Sequence, residues 1–103
     1  MAPPKLTPEQ RAAALKKAAE ARRARAEVKE LLKMGSLSLS DVFERADDDN
    51  IIAGIKVQSV LQSVPGLGKI KAKRLMEELA IAENRRIRGL GSRQREALLD
   101  RFS

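Results

Sequence analysis

The sequence predicts an all-α fold, with a long N-terminal helix followed by a small bundle of short helices. Apolar residues recur at three- and four-residue intervals, as on one face of a helix, and no alternating apolar pattern is long enough for a strand. Helix-capping signatures begin at Thr7 and at Ser38, each followed three positions later by a side chain that can bond back to the cap. Glycine and proline separate the apolar segments, which fits short helices joined by tight turns.

The first helix is expected to start at Pro8, which suits the first helical position, and no breaker follows until Gly35. Its length would be about 27 residues, or roughly 40 Å. Leu15 stands alone before an apolar cluster near the helix end, formed by Val28, Leu31 and Leu32. We therefore expect the C-terminal third to pack on the core and the rest to project. The chain divides into a long basic helix, residues 1–34, and a compact helical domain, residues 35–103.

Four shorter helices are expected in that domain: one after Ser38, one over residues 57–64, one over residues 69–80 and one capped by Ser92. The acidic run Asp47-Asp48-Asp49-Asn50 is expected to form a polar loop after the first of them. The side chains predicted to be buried are Leu39, Val42, Phe43, Ala46, Val57, Val60, Leu61, Val64, Ile70, Leu75, Met76, Leu79, Ala97, Leu98 and Phe102.

Composition excludes several kinds of chemistry. The 103 residues suit one domain, and they include neither Cys nor His. Disulfides, thiolate chemistry, imidazole-based metal binding and histidine acid–base catalysis are therefore excluded. We expect no cofactor, no metal and no enzymatic activity, with the cytoplasm as location. The N-terminal segment lacks the apolar run of a signal peptide, and no stretch could span a bilayer.

The formal charge of +7 is unevenly distributed. Residues 1–34 carry nine basic and four acidic side chains, residues 35–55 carry one and five, and residues 56–103 carry eleven and five. Two basic segments thus flank an acidic one, which indicates defined faces and a polyanionic partner. A membrane surface is disfavoured because the long helix lacks the apolar face that such helices insert.

The first candidate site is a glycine turn with a basic helix start, Val64-Pro65-Gly66-Leu67-Gly68-Lys69. Glycines tolerate the positive φ of a tight turn, and their missing side chains let a phosphate approach the backbone N–H groups. Helix N-termini ordinarily favour acidic residues, yet this one is basic. An αα-hairpin capped by glycine is the plain alternative, but the basic start favours a phosphate site of the helix–hairpin–helix or helix–two-turn–helix kind. The candidate contacts are Pro65, Gly66, Gly68, Lys69, Lys71 and Lys73.

A second basic turn follows, in which closely spaced arginines lead into a Gly-x-Gly sequence. The planar arginine fork suits phosphate oxygens or a guanine edge. A solvated loop is the alternative interpretation. Its candidate contacts, within residues 88–93 and the arginines before them, are Arg85, Arg86, Arg88, Gly89, Gly91 and Arg93.

The long helix supplies a third candidate region, its acid-poor stretch of Arg22, Arg23 and Arg25. A solvated helix with intrahelical salt bridges is the competing interpretation, since Glu20, Glu27 and Glu30 lie nearby. The chain has two aromatic residues, Phe43 and Phe102, and so offers little for single-stranded bases to stack on. Duplex held by its phosphates is therefore the favoured ligand.

These residues resemble the actinobacterial integration host factors over nearly the whole chain. The resemblance lies in Leu6-Thr7-Pro8-Glu9-Gln10-Arg11-Ala12-Ala13-Ala14, in Val64-Pro65-Gly66-Leu67-Gly68-Lys69 and in Arg85-Arg86-Ile87-Arg88-Gly89-Leu90-Gly91-Ser92. It implies a nucleoid-associated protein that binds and bends duplex DNA with little sequence preference, compacts the chromosome and assists phage integrase–DNA complexes in site-specific recombination. It also places family DNA contacts on Pro65, Gly66, Gly68, Lys69, Arg85, Arg86, Arg88 and Gly89.

Two other functions compete with this interpretation. A ribosomal S13-like protein could use the same glycine turns on structured RNA. No residue in the sequence is recognisable as a contact to the 2′-hydroxyl, so the sequence alone does not separate RNA from DNA. A nuclease or glycosylase built on such hairpins would need carboxylates from Asp41 or from the run Asp47-Asp48-Asp49, which is better explained as a loop. No heptad pattern indicates a coiled-coil dimer, and a monomer is expected.

Overall fold

The regular secondary structure within residues 5–102, the part of the chain that this computed structural model describes, consists of helices. Its elements, in chain order, are α1 (Pro8–Lys33), α2 (Leu39–Asp48), α3 (Asn50–Ala53), α4 (Val57–Ser63), α5 (Gly68–Glu78), a 3-10 helix (Ile87–Gly89) and α6 (Ser92–Arg101). Residues 5–102 contain no strand, although an isolated antiparallel bridge joins Lys56 to Arg86. The all-α prediction is confirmed.

The long first helix forms as its sequence signals predict. The Gln10 N–H donates to Thr7 Oγ1 at 3.1 Å, and the Thr7 N–H donates to Gln10 Oε1 at 3.0 Å, which completes a capping box. Residues 5–20 are all exposed, whereas Val28 and Leu32 near the other end are buried. The C-terminal part of α1 therefore packs on the core, against α3 and α4, and the N-terminal part projects.

The core is organised around the short helix α4. Val57, Val60 and Leu61 on this helix are completely buried. Both α1 and α5 pack against α4. Phe43 from α2 and Leu98 from α6 complete the centre of the core. Burial of each such side chain stabilises the fold by about 1.5–3 kcal/mol relative to exposure. None of the helices within residues 5–102 is long and apolar enough to cross a membrane.

The acidic run adopts a more regular structure than the expected loop. Asp47 and Asp48 are the last residues of α2, and Asp49 caps the additional helix α3 by accepting the Ile51 N–H at 2.9 Å. The polar loop prediction is therefore wrong. An aspartate that can serve as an N-cap allows one helix to end and the next to begin within a single residue.

Two further local predictions are wrong at α5 and α6. Ile70 is 73% exposed, because the buried stripe of α5 runs through Ala72, Leu75 and Met76, about half a helical turn away from it. The last helix is not capped by the hydroxyl of Ser92, which is already its first residue. The N-cap is Gly91, whose N–H donates to Gln94 Oε1 at 3.1 Å.

The ends of two other predicted buried faces are also less enclosed. Phe102 is 38% exposed, because it follows the last residue of α6 and lies beyond the buried Leu98. Val64, which follows the last residue of α4, is half-buried, as are Leu79 after α5 and Ala97 within α6.

A bidentate ion pair joins the acidic run to α6. Arg95 Nη1 and Nη2 donate to the two carboxylate oxygens of Asp47 at 2.9 and 3.1 Å. The same guanidinium lies 5.2 Å from the centroid of the Phe43 ring, a cation–π distance. Arg95 thus attaches the last helix to α2 through both charge and ring contacts, although the Asp47 side chain is 59% exposed and the pair is screened by solvent.

We expect this pair to make a small, pH-dependent contribution to stability. The hydrogen bonds from Arg95 hold the pKa of Asp47 below its ordinary value of 3.8. The contribution is therefore complete above that ordinary pKa and is lost as the pH falls through the lower, folded-state pKa. Asp47→Asn should lower the melting temperature at pH 7 and reduce the further loss on acidification below about pH 4. Thermal unfolding followed by circular dichroism at pH 2.5–7 measures both effects.

Asp48→Asn is the matched control, since it removes the same charge from the neighbouring position without removing the Arg95 pair. Asp41 contributes acid dependence in both variants, because hydrogen bonds from Ser38 lower the pKa of its carboxyl group. Equal melting profiles for the two variants would show that the ion pair does not stabilise the attachment of α6.

Candidate nucleic-acid interface

The helix N-termini within residues 5–102 fall into two groups. Thr7, Ser38 and Asp49 cap α1, α2 and α3 with side-chain oxygens. The starts of α4, α5 and α6 have no side-chain cap. Uncapped N-terminal N–H groups carry positive partial charge and can bind an anion. At α5 they coincide with lysines, so this helix start combines backbone donors with cationic side chains.

The glycine turn before α5 has the backbone geometry that the sequence predicts. Gly66 has φ +82° and Gly68 has φ +67°, which are left-handed values that favour glycine. A Cβ atom added at either position would have no neighbour within 4 Å, so the backbone there faces open space. Leu67 is half-buried against the core, and its N–H donates to the Val64 carbonyl at 3.1 Å. Leu67 thus anchors the turn to the core, while Gly66 and Gly68 remain accessible to solvent, as a phosphate site requires.

The lysines of α5 do not all belong to this turn. Pro65 and Lys69 are exposed beside the glycines. Lys71 lies along a shallow groove, with a volume of about 750 Å³, that also includes Phe102. Lys73 lies about one helical turn after Lys69, near Gln58 and Glu83. Lys69 and the backbone donors are thus the part of the predicted first site nearest the turn.

The second predicted site is built differently from the first. Gly89 belongs to the 3-10 helix, and Gly91 has an extended conformation with φ −71°, so neither glycine has positive φ. A Cβ atom at Gly89 would lie 3.0 Å from Cδ of Arg85, a tight contact that the flexible arginine side chain would have to relieve. The segment from Arg85 to Gly91 is therefore a hydrogen-bonded loop and does not repeat the conformation of the first glycine turn.

Backbone and side-chain hydrogen bonds fix the arginine segment to the α3–α4 connection. The Val57 N–H donates to the Arg85 carbonyl at 2.9 Å, and the Ile87 N–H donates to the Ile55 carbonyl at 3.0 Å. Arg85 Nη1 donates to the Gly89 carbonyl at 3.0 Å, and Arg86 Nη1 donates to the Gly54 carbonyl. Arg85 and Arg86 are half-buried, so each uses part of its guanidinium to order the loop. Arg88 and Arg93 are exposed.

The arginine loop and the long helix together form a basic cleft. We use this name for the group Arg22, Arg25, Lys29, Lys56 and Arg86, which lines a depression of about 410 Å³ with Ala26, Gly54, Ile55 and Ser59. Five cationic residues and no acidic residue line it. Such a concentration of one charge sign in a concave site attracts an anionic ligand.

Two residues of the basic cleft were not among the sequence predictions. Lys29 lies four positions after Arg25 and seven after Arg22, so helical spacing could have identified it. Lys56 is brought to the cleft by its bridge to Arg86, for which the sequence carries no signal. Conversely, Arg23 is exposed but does not line the cleft, because it lies about 100° around α1 from Arg22.

The glycine turn and the basic cleft lie at opposite ends of α4. Lys56 precedes the first residue of this helix, and Val64 and the turn follow its last residue. A helix of seven residues is roughly 10 Å long. The structure therefore brings part of the long helix and part of the arginine loop into one site and keeps the glycine turn as a separate one.

Comparison with known proteins agrees with this architecture. Residues 32–102 match the S13-like H2TH domain family, which defines the class as a helix–two-turn–helix protein. Over 102 residues the chain is 55% identical to the integration host factor of Mycobacterium tuberculosis, with 99% of this chain and 97% of that protein covered. It is 54% identical to the integration host factor of Streptomyces coelicolor, with 99% and 95% covered. The chain belongs to the integration host factor family of actinobacteria.

A solved structure shares the fold. It is described as sIHF bound to an 8-bp palindromic DNA, and it matches with a TM-score of 0.83 at 48% identity. The match covers 85% of this chain and 99% of that chain.

Proposed function

We propose that this protein binds duplex DNA by its phosphates, largely independently of sequence. The observation that carries the proposal is the glycine turn, where the exposed Gly66 and Gly68, with open space around their Cα atoms, lead into a lysine-bearing helix start that has no side-chain cap. A phosphate can approach such a turn closely and accept hydrogen bonds from it. The chain is also 48% identical to a protein solved with duplex DNA.

The basic cleft is proposed as a second phosphate contact on the same duplex. Its separation of roughly 10 Å from the glycine turn, the length of α4, corresponds to about three base-pair steps of 3.4 Å. A straight duplex can present two phosphates at this separation, so the bend that the family resemblance implies would serve to bring further phosphates to the rigid core, at a deformation cost that depends on sequence. DNA bending, chromosome compaction and an accessory role in site-specific recombination with phage integrase–DNA complexes are therefore part of the proposal.

The remaining assignments follow from the same proposal. We assign a non-enzymatic role in the nucleoid, within the cytoplasm, because the named relatives are integration host factors. The acting species is proposed to be a monomer, since one chain supplies both contact regions. Magnesium-dependent cleavage of a supercoiled plasmid by the purified protein would contradict the non-enzymatic assignment.

The test is a fluorescence anisotropy titration at several salt concentrations. The probes are a 20-bp DNA duplex, a scrambled duplex, either separated strand and an RNA duplex of the same sequence. We expect similar affinity for the two DNA duplexes, weaker binding of the others, and a logarithmic salt slope of about −0.9 per phosphate contacted. Equal or tighter binding of RNA would favour the S13-like RNA-binding function. A flat salt response would indicate a different partner.

A further inference from the structure

Ile70 is the most exposed of the large apolar side chains within residues 5–102, at 73%. Single exposed apolar residues are common on protein surfaces, so exposure alone carries no inference. The position of Ile70 does carry one. It is the third residue of α5, two positions after Gly68, and thus lies in the first turn of the helix whose N–H groups are uncapped.

Ile70 lies within one helical turn of the proposed phosphate site. Side chains on a helix lean toward its N-terminus, so Ile70 extends toward the preceding turn, in which Leu67 and Gly66 lie three and four positions earlier. The buried stripe of Ala72, Leu75 and Met76 occupies the opposite side of α5. An apolar surface therefore lies beside the exposed donors of the glycine turn.

The charges around Ile70 indicate the chemistry of its partner. Lys69 and Lys71 flank it, and the first acidic residue of α5 is Glu77, almost two helical turns further on. A ligand that meets this surface must combine negative charge with an apolar face. The sugar–phosphate backbone of a duplex does so, because each phosphate is joined to a deoxyribose whose C2′ methylene group is apolar.

We propose that Ile70 packs against the deoxyribose next to the phosphate held by the glycine turn, and so selects DNA over RNA. This inference rests on the proposed function. In DNA, the contact removes the side chain and the C2′ methylene group from water. In RNA, the same contact would bury the 2′-hydroxyl against a hydrocarbon group without a hydrogen-bond partner, which is unfavourable.

The test compares the affinities of Ile70→Gln and the unsubstituted protein for a 16-bp DNA duplex and for an RNA duplex of the same sequence. The DNA affinity should fall about tenfold, the RNA affinity should stay the same or rise because glutamine can hydrogen-bond the 2′-hydroxyl, and the salt slope should stay the same because no phosphate contact is lost. Both proteins meet the same two duplexes, so contributions that do not involve the side chain at position 70 cancel in the ratio of the affinity changes.

Two further variants sharpen the comparison. Ile70→Val keeps a branched apolar side chain and should retain the preference for DNA. Met34→Gln replaces an apolar side chain of similar exposure, 66%, at the end of α1, and should leave both affinities unchanged.

Three outcomes would contradict the inference. Unchanged DNA affinity in Ile70→Gln would show that the side chain does not contact the duplex. Equal losses for DNA and RNA would show that the contact is not with the C2′ position. If the unsubstituted protein has no affinity for duplex DNA, the proposed function itself fails. That result is read from the unsubstituted protein alone and is therefore distinguishable from the two outcomes for Ile70→Gln.

Discussion

Replacing Gly68 by Asp is expected to weaken duplex DNA binding about tenfold or more without reducing helix content. The φ of +67° at this residue strains any side chain with a Cβ atom, at a cost on the order of 1 kcal/mol in stability. The larger effect is electrostatic, since the new carboxylate would stand in the open space proposed for a phosphate. Anisotropy titration against a 20-bp duplex measures the affinity, and circular dichroism measures folding.

Two control variants separate backbone strain from charge repulsion. Gly35→Asp introduces the same side chain at φ +76°, also with no neighbour within 4 Å, but at the end of α1. It should lose similar stability and retain DNA affinity. Gly68→Asn is neutral and asparagine tolerates left-handed backbone, so it should bind with intermediate affinity. A Gly68→Asp protein with the affinity of Gly35→Asp would remove the glycine turn from the interface.

The helices that the sequence predicted well are those whose signals are local. Thr7 and Ser38 each form capping boxes with the residue three positions later, and both helices begin where their sequences indicate. The buried face of α2 was also predictable, because one stripe of a single helix decides it. Ile70 shows the limit of such reasoning. Its spacing fits a helical face, but which face of α5 becomes buried depends on how α4 and α5 pack.

The candidate interface divides in the same way. Positive φ at Gly66 and Gly68 follows from the short turn itself and was predictable. The basic cleft was not, because it forms where the bridge between Lys56 and Arg86 brings the arginine loop to α1. Pairings over thirty positions leave no local pattern in a single sequence.

The partners of the loop arginines were equally hidden. Arg85 and Arg86 were predicted as phosphate contacts, and in the structure each also donates a hydrogen bond to a backbone carbonyl, of Gly89 and of Gly54. Removing either arginine would therefore disturb the loop as well as its charge. An affinity loss in such variants could not be assigned to a lost phosphate contact. The cleft residues on α1, Arg22 and Arg25, are therefore the better targets for substitution.

The double variant Arg22→Ala with Arg25→Ala is expected to lower duplex DNA affinity by about one to two orders of magnitude at moderate salt. Both arginines line the basic cleft, and alanine preserves the helix. If each arginine contacts one phosphate, the logarithmic salt slope should become shallower by about two. Titrations at 50–200 mM salt measure both quantities.

The matched control is Arg11→Ala with Arg23→Ala, which removes two exposed positive charges from the same helix outside the cleft. A general attraction between α1 and the duplex depends on total charge, so it predicts equal losses for the two double variants. A defined second contact predicts that the salt slope changes only in the variant that lacks Arg22 and Arg25, because counterions are released where phosphates are neutralised. Equal slopes in the two variants would leave the glycine turn as the protein's defined phosphate contact and would assign α1 to long-range attraction.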